Sequence, residues 1–246
     1  MQAFIPSAGL GTRLRPLTDL RPKALVEIGG QTLLEHAIRR VVAAGAHHIV
    51  INVHHFADQI IEFVSQHSWD ADIRISDERS QLLDTGGGLR HAAPFFLTDE
   101  PILIHNVDVL SAIDLAQLQT RHLQQHHLVT LAVSRRDSSR QLLFNADEQL
   151  VGWHNRQNGE YLWSGLPTEN ATPLAYSGIA VVSPQLPRLL PATPAIFPII
   201  PEYLRLAKTE SIGAFVHDCR IWVDVGRIET LQQLEEKYRI HGDFFA

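Results

Sequence analysis

The chain has 246 residues, 45% of them hydrophobic and 20% charged, which supports a sizeable core and excludes general disorder. Its net charge is −6 with no long Lys/Arg run, so it offers no track for nucleic acid or an anionic membrane, and an anionic ligand must be captured locally. A single Cys219 excludes an internal disulfide framework, and no segment approaches the ~18 apolar residues of a membrane span. With a strand-like start at Met1–Pro6 in place of a leader pattern, the expectation is a reducing, cytoplasmic setting.

Gln2–Pro6 reads as a short buried strand, followed by a loop with Gly9 and Gly11, an apolar stretch Ala24–Ile28 and a turn at Gly29-Gly30. From Gln31 to Ala44, Leu34, Ile38, Val41 and Val42 recur at helical spacing, and Gly45 is a stop signal. His48–Val53 is a β-branched strand, Asp58–Ser65 a helix and Ile73–Ser76 a strand; a loop then carries Asp84-Thr85-Gly86-Gly87-Gly88, and Pro101–Asn106 is a further strand. After a helix over Leu115–His126, the segments Val129–Ser134, Gln141–Asn145 and Gln149–His154 suggest antiparallel pieces. Tyr176–Val182 and Ile221–Val225 are strands, and Glu229–Tyr238 is a final helix. The prolines between Pro184 and Pro201 argue against a long helix there. This order predicts an α/β fold: a mostly parallel, Rossmann-like sheet with helices on both faces and a small antiparallel β insertion. Large α/β domains reach ~250 residues, so one domain over 1–246 is expected.

The run Ala8-Gly9-Leu10-Gly11-Thr12-Arg13-Leu14-Arg15-Pro16 follows the first strand, where α/β sheets bind ligands. Glycines there let backbone N–H groups approach phosphate oxygens, and Arg13 and Lys23 can neutralise charge during phosphoryl chemistry. A tight turn with solvated basic residues is the plainer alternative. Leu14 occupies the third glycine position of the dinucleotide fingerprint, which disfavours a dehydrogenase, and no P-loop Gly-Lys-Ser/Thr is present.

The longer run through Arg21-Pro22-Lys23-Ala24-Leu25 resembles the signature of the sugar-1-phosphate nucleotidyltransferases. The resemblance continues through Asp84–Gly88, Asn106-Val107-Asp108, Tyr176-Ser177-Gly178-Ile179 and Trp222-Val223-Asp224-Val225-Gly226. Among subfamilies, Leu83–Gly88 looks most like the N-acetylmuramate-1-phosphate uridylyltransferases of cell-wall recycling; mannose- and heptose-1-phosphate guanylyltransferases are also similar. The resemblance implies a GT-A-like enzyme that joins a nucleoside triphosphate, UTP first, to a sugar 1-phosphate, with a nucleotide-binding part near 1–115 and a sugar-binding part near 116–246. It implies nucleotide contacts at Ala8, Gly9, Gly11, Thr12, Arg13, Lys23, Thr85, Gly86 and Gly87, with Arg13 and Lys23 catalytic. It further implies sugar-phosphate contacts at Asn106, Ser177 and Gly178, and Mg²⁺ on Asp108 and Asp224. Val107 and Ala24 depart from the family's usual Gly and Pro. A non-catalytic nucleotide-sugar-binding protein of the same fold is the second reading, and monomer and dimer both remain open. The histidines, among them His122 and His126 at helical spacing, form no recognisable transition-metal set.

Overall fold

The computed structural model describes residues 1–242, organised around one ten-stranded sheet. In chain order, β1 (Gln2–Pro6) is followed by a small hairpin, β2 (Glu27–Ile28) and β3 (Gln31–Thr32), and then by α1 (Leu33–Ala43) and β4 (His48–Val53). Next come α2 (Ala57–Gln66), β5 (Asp72–Asp77), α3 (Asp84–His91) and β6 (Ile102–His105). Strands β6, β1, β4 and β5 lie side by side, and each neighbouring pair is parallel.

Beyond them run β7 (Val109–Ser111), α4 (Leu115–Gln125), β8 (Val129–Ser134), β9 (Arg140–Phe144), β10 (Leu150–Asn155) and β11 (Glu160–Trp163). The chain ends with β12 (Thr172–Val182), α5 (Leu186–Leu189), α6 (Ile199–Leu206), β13 (Ile212–Val216), β14 (Trp222–Asp224) and α7 (Ile228–His241). The eleven-residue β12 joins the halves: it pairs antiparallel with β6, β8 and β9. The antiparallel strands expected as an insertion are therefore continuous with the parallel ones. Two pairs stand apart as two-stranded sheets of their own, the hairpin β2–β3 and the long-range pair β7–β14.

Helix α1 shows why these segments fold locally. Thr32 Oγ1 accepts from Glu35 N at 3.1 Å at its start, and Leu33, Leu34, Ala37, Ile38 and Val41 form its buried face. At its end Gly45 takes φ +92°, while Gly45 N and Ala46 N return to Val42 O and Val41 O, a glycine-dependent stop. Helices α1, α2, α4 and α7 cover one face of the sheet, and α3, α5 and α6 cover the other.

The apolar stretch Ala24–Ile28 forms a single turn over Lys23–Leu25 followed by β2, the Pro22 and Lys23 carbonyls accepting the backbone bonds that close the turn. One local expectation is corrected. Asp84–Gly88 opens α3 and is not a loop. Glycine in a helix costs about 1 kcal/mol relative to alanine, and here it permits close packing. A Cβ on Gly87 would sit 2.2 Å from Ala195 O, and one on Gly86 would sit 2.4 Å from the Phe197 ring.

Candidate active site

Past β1 the chain crosses the C-terminal edge of the parallel strands. Ser7 N donates to Asn52 Oδ1 (2.7 Å), fixing the loop to the end of β4. Gly11 takes φ +64°, and a Cβ there would lie 3.0 Å from both Lys23 Cβ and Thr18 Cγ2. Leu14 N and the Thr18 hydroxyl both donate to Gly11 O at 2.9 Å. The loop thus closes on itself and brings Lys23 beneath Gly11. Gly9 is different, since a Cβ there would meet nothing within 4 Å. A cavity of about 300 Å³ opens between Ala8 and Gly9 on one side and Glu78, Asp84, Thr85 and Ile196 on the other. Thr12 and Arg13 are exposed beside this loop.

Thr85 lines the cavity and also accepts from Ile199 N at 3.0 Å through its hydroxyl oxygen, capping α6. Gly86 and Gly87, expected to face the nucleotide, are buried against the Ala195–Phe197 segment, and both their N–H groups donate to Phe197 O. The residue that sequence reasoning missed in this wall is Glu78. Its Oε1 accepts from Asn52 Nδ2 at 2.8 Å, its Oε2 is buried without a hydrogen-bond partner among the described residues, and burial raises its carboxyl pKa. Gly88 leaves room for this pair, because a Cβ would stand 2.9 Å from each side chain.

The two aspartates meet through the small sheet. Asp224 on β14 lies opposite Val109 on β7, and Val225 N donates to Asp108 O at 2.8 Å. Residues 116 positions apart in sequence are thereby adjacent. Lys23 Nζ forms an ion pair with Asp108 Oδ2. Gly226 separates the Asp224 carboxylate from the Arg13 guanidinium: a Cβ on it would be 2.7 Å from Asp224 Oδ1 and 2.8 Å from Arg13 Nη2. Burial and then the Asp108 charge raise the Asp224 pKa, opposed by Lys23, Arg13 and Arg136. Three cations therefore face two carboxylates.

Asp224 Oδ1 is buried without a hydrogen-bond partner among the described residues. An orphaned carboxylate oxygen next to a second carboxylate suits a hard divalent cation, and Mg²⁺ commonly takes one or two carboxylates together with waters and substrate phosphates. The donor set fits that ion.

Asn106 N donates to Gly178 O at 2.9 Å, and Gly178 takes φ +72° with Asn106 Nδ2 only 2.8 Å from where a Cβ would be. Ser177, expected beside the sugar phosphate, is fully buried, and its hydroxyl bonds to Arg136 Nη1 (3.1 Å) and His217 Nε2 (2.7 Å). That hydroxyl serves the interior. Val107 and Ala24 are both buried in the apolar cluster, so their departures from the family pattern fall on core positions. Trp163 covers Gly152 and stacks on Tyr161, supporting the β10–β11 hairpin. A larger cavity, about 920 Å³, lies behind the loop between Leu17 and α7 and has neither aspartate in its lining.

A family profile described as Nucleotidyl transferase matches residues 2–142. An N-acetylmuramate alpha-1-phosphate uridylyltransferase of Caulobacter vibrioides is 32% identical over 237 residues, covering 91% of each chain. A mannose-1-phosphate guanyltransferase of Aspergillus fumigatus is 32% identical over 139 residues, covering 56% of this chain and 38% of its own. Among solved structures, HddC from Yersinia pseudotuberculosis complexed with GMP-PN superposes with a TM-score of 0.74 at 21% identity, covering 96% of this chain and 99% of that one. UDP-glucose pyrophosphorylase from Acinetobacter baumanii superposes with a TM-score of 0.77 at 17% identity, covering 99% and 95%.

Proposed function

The chain belongs to the nucleotidyl transferase family and is a sugar-1-phosphate nucleotidyltransferase, and from that premise we propose that it transfers uridylyl from UTP to N-acetylmuramate 1-phosphate with Mg²⁺. The carrying observation is the meeting of Arg13, Lys23, Asp108 and Asp224 beside an open glycine loop. The uridylyltransferase relative supports the substrate assignment, because the match spans 91% of its own length, whereas it spans 38% of the A. fumigatus guanyltransferase. No helix among the described residues is long and apolar enough to cross a membrane. We read 1–246 as one working unit, since strands of the nucleotide-binding and sugar-binding parts share a sheet.

In this reading the triphosphate lies along Ala8, Gly9, Gly11 and Thr12, its base enters the cavity bordered by Thr85 and Glu78, and the sugar phosphate approaches Asn106 and Gly178. A sugar-phosphate oxygen attacks the α-phosphorus; the new O–P bond forms as the bond to the bridging oxygen breaks, and pyrophosphate leaves with that electron pair. The attacking oxygen is already ionised near neutral pH, so no protein base is required. Arg13 and Lys23 neutralise charge on the phosphoryl oxygens and hold donor and acceptor in line. Asp108 and Asp224 would hold Mg²⁺, whose contribution when bound is charge neutralisation and alignment of the phosphates.

Pyrophosphate release measured across UTP, GTP, CTP and dTTP against a panel of sugar 1-phosphates tests the assignment. The expected maximum is UTP with N-acetylmuramate 1-phosphate. A maximum with GTP and mannose or heptose 1-phosphate would replace that substrate pair, and binding without turnover in every combination would overturn the proposal.

A further inference from the structure

Arg136 has no place in the chemistry just described, yet among the described residues no other arginine has more hydrogen-bond partners. Its Nη1 donates to Ser134 Oγ (2.9 Å), Ala175 O (3.0 Å) and Ser177 Oγ (3.1 Å), and its Nη2 donates to Tyr176 O (2.6 Å). Its Cζ lies 3.8 Å from the centre of the Trp222 ring. Three of these four acceptors lie on consecutive residues of β12, Ala175 to Ser177, at the point where its pairing with β8 loses register, between Tyr176 and Ala180. A kinked strand leaves carbonyls without ladder partners, and the planar guanidinium supplies donors to them.

The kink touches both aspartate-bearing segments. Ser177 O accepts from Trp222 Nε1 at 2.7 Å, two residues before Asp224. Gly178 O accepts from Asn106 N at 2.9 Å, two residues before Asp108. Adjacent carbonyls of one bent strand thus tether β14 and the turn ahead of β7. Because β7 and β14 pair only with each other, these tethers join the carboxylate pair to the main sheet. The Ser177 hydroxyl closes the cluster: His217 Nδ1 donates to Asp218 O at 2.9 Å, so Nε2 accepts the serine proton while the serine oxygen accepts from Arg136.

We propose that Arg136 is a positioning residue for nucleotidyl transfer. Its guanidinium locks the β12 kink, whose Ser177 and Gly178 carbonyls set the placement of Asp224 and Asp108. The inference rests on the proposed role of those two aspartates. Its consequence is a loss of turnover, with nucleotide binding preserved, when the fork geometry is altered but the charge is kept.

Arg136→Lys provides the test, because lysine keeps the charge but cannot span the Ala175 and Tyr176 carbonyls and the Ser177 hydroxyl with a rigid fork. Turnover is expected to fall on the order of 10²-fold, the scale associated with ångström misplacement of a reacting constellation, with KM for UTP little changed. Mn²⁺ titrated against the protein without nucleotide, followed by electron paramagnetic resonance, should bind more weakly than to the parent. Trp222→Phe keeps a ring beneath the cation and deletes only the bond to Ser177 O, so a smaller loss of the same kind is expected. Full kcat and unchanged Mn²⁺ binding in Arg136→Lys would show that charge suffices and overturn the inference. If that variant does not fold, Trp222→Phe decides on the same readouts. A parent enzyme without turnover would count against the proposed function, and the Mn²⁺ comparison would still judge the clamp.

Discussion

The loop over Ala8–Lys23 and the corner where β7, β12 and β14 meet supply opposite kinds of rigidity to one site. In the loop Gly9 faces open space and Arg13 is exposed, whereas in the corner Ser177 is wholly buried and Arg136 is held by four hydrogen bonds. The loop can adapt to a triphosphate, whose own charge orders the cations around it. Two carboxylates repel each other, and burial adds to the penalty, so they must be held in place by covalent and hydrogen-bonded structure before any ligand arrives. Asp224 shows this cost directly in its raised pKa.

Breaking the corner should have the largest effect. Asp224→Asn and Asp108→Asn are each expected to reduce Mg²⁺-dependent turnover by at least ~10³-fold, in line with removal of a principal electrostatic group, while the far-ultraviolet circular dichroism stays that of the parent. Near-parent activity in either variant would remove that residue from the metal assignment.

Gly226→Ala tests the seam between the regions. Its Cβ would meet the ends of two movable side chains, Asp224 Oδ1 and Arg13 Nη2, so the fold should tolerate it while both groups are displaced. Turnover should fall ~10–100-fold with an unchanged melting temperature. Gly87→Ala is the converse case, because its Cβ would strike the backbone oxygen of Ala195 at 2.2 Å. Overpacking of this kind destabilises by about 1–3 kcal/mol, and each kcal/mol lowers the melting temperature of a chain this size by roughly 2–4 °C. An unchanged melting temperature would show that the Ala195 segment can move aside.

The same contrast decides what the sequence discloses. The loop's glycines and cations act through nearby backbone, so their spacing carries most of the information, and Gly11 and Lys23 pack together across a short turn. Helices α1, α2, α4 and α7 are equally legible from their 3.6-residue period, and most strands of the main sheet from apolar runs buried on both faces, whereas β7, β11 and β13 have no reading in the sequence. The packing of Gly86 and Gly87 against Ala195–Phe197 is not legible, because a glycine that accommodates a neighbouring segment reads like one that accommodates a ligand. Arg136 is hidden next to Arg135, because only Ser134 Oγ among its acceptors is local and the other three lie on the distant β12 kink. Helix α6 begins at the last turn of a proline-rich segment, where local propensity gave no signal.

A smaller effect separates global stability from the charge state of the site. His122 and His127 both place Nδ1 3.0 Å from the Thr130 hydroxyl, away from the aspartates, and burial lowers the His122 pKa from 6.5 to about 4. The unfolded chain therefore binds the proton more readily, and its contribution to stability is complete above pH ~6.5 and lost as pH falls toward 4. At pH 5.5 this amounts to about 1 kcal/mol for His122. Melting temperature should decline below pH ~6.5 in the parent, and less steeply in His122→Gln, which keeps hydrogen-bonding capacity without titrating. Asp224 titrates in the other sense: in the metal-free site burial and then the Asp108 charge raise its pKa, so a proton competes with Mg²⁺ for the carboxylate as pH falls. His122→Gln should accordingly flatten the stability profile and leave the acid limb of kcat in place. If both limbs flattened together, the acid loss of activity would be unfolding, and the corner would have no titration of its own.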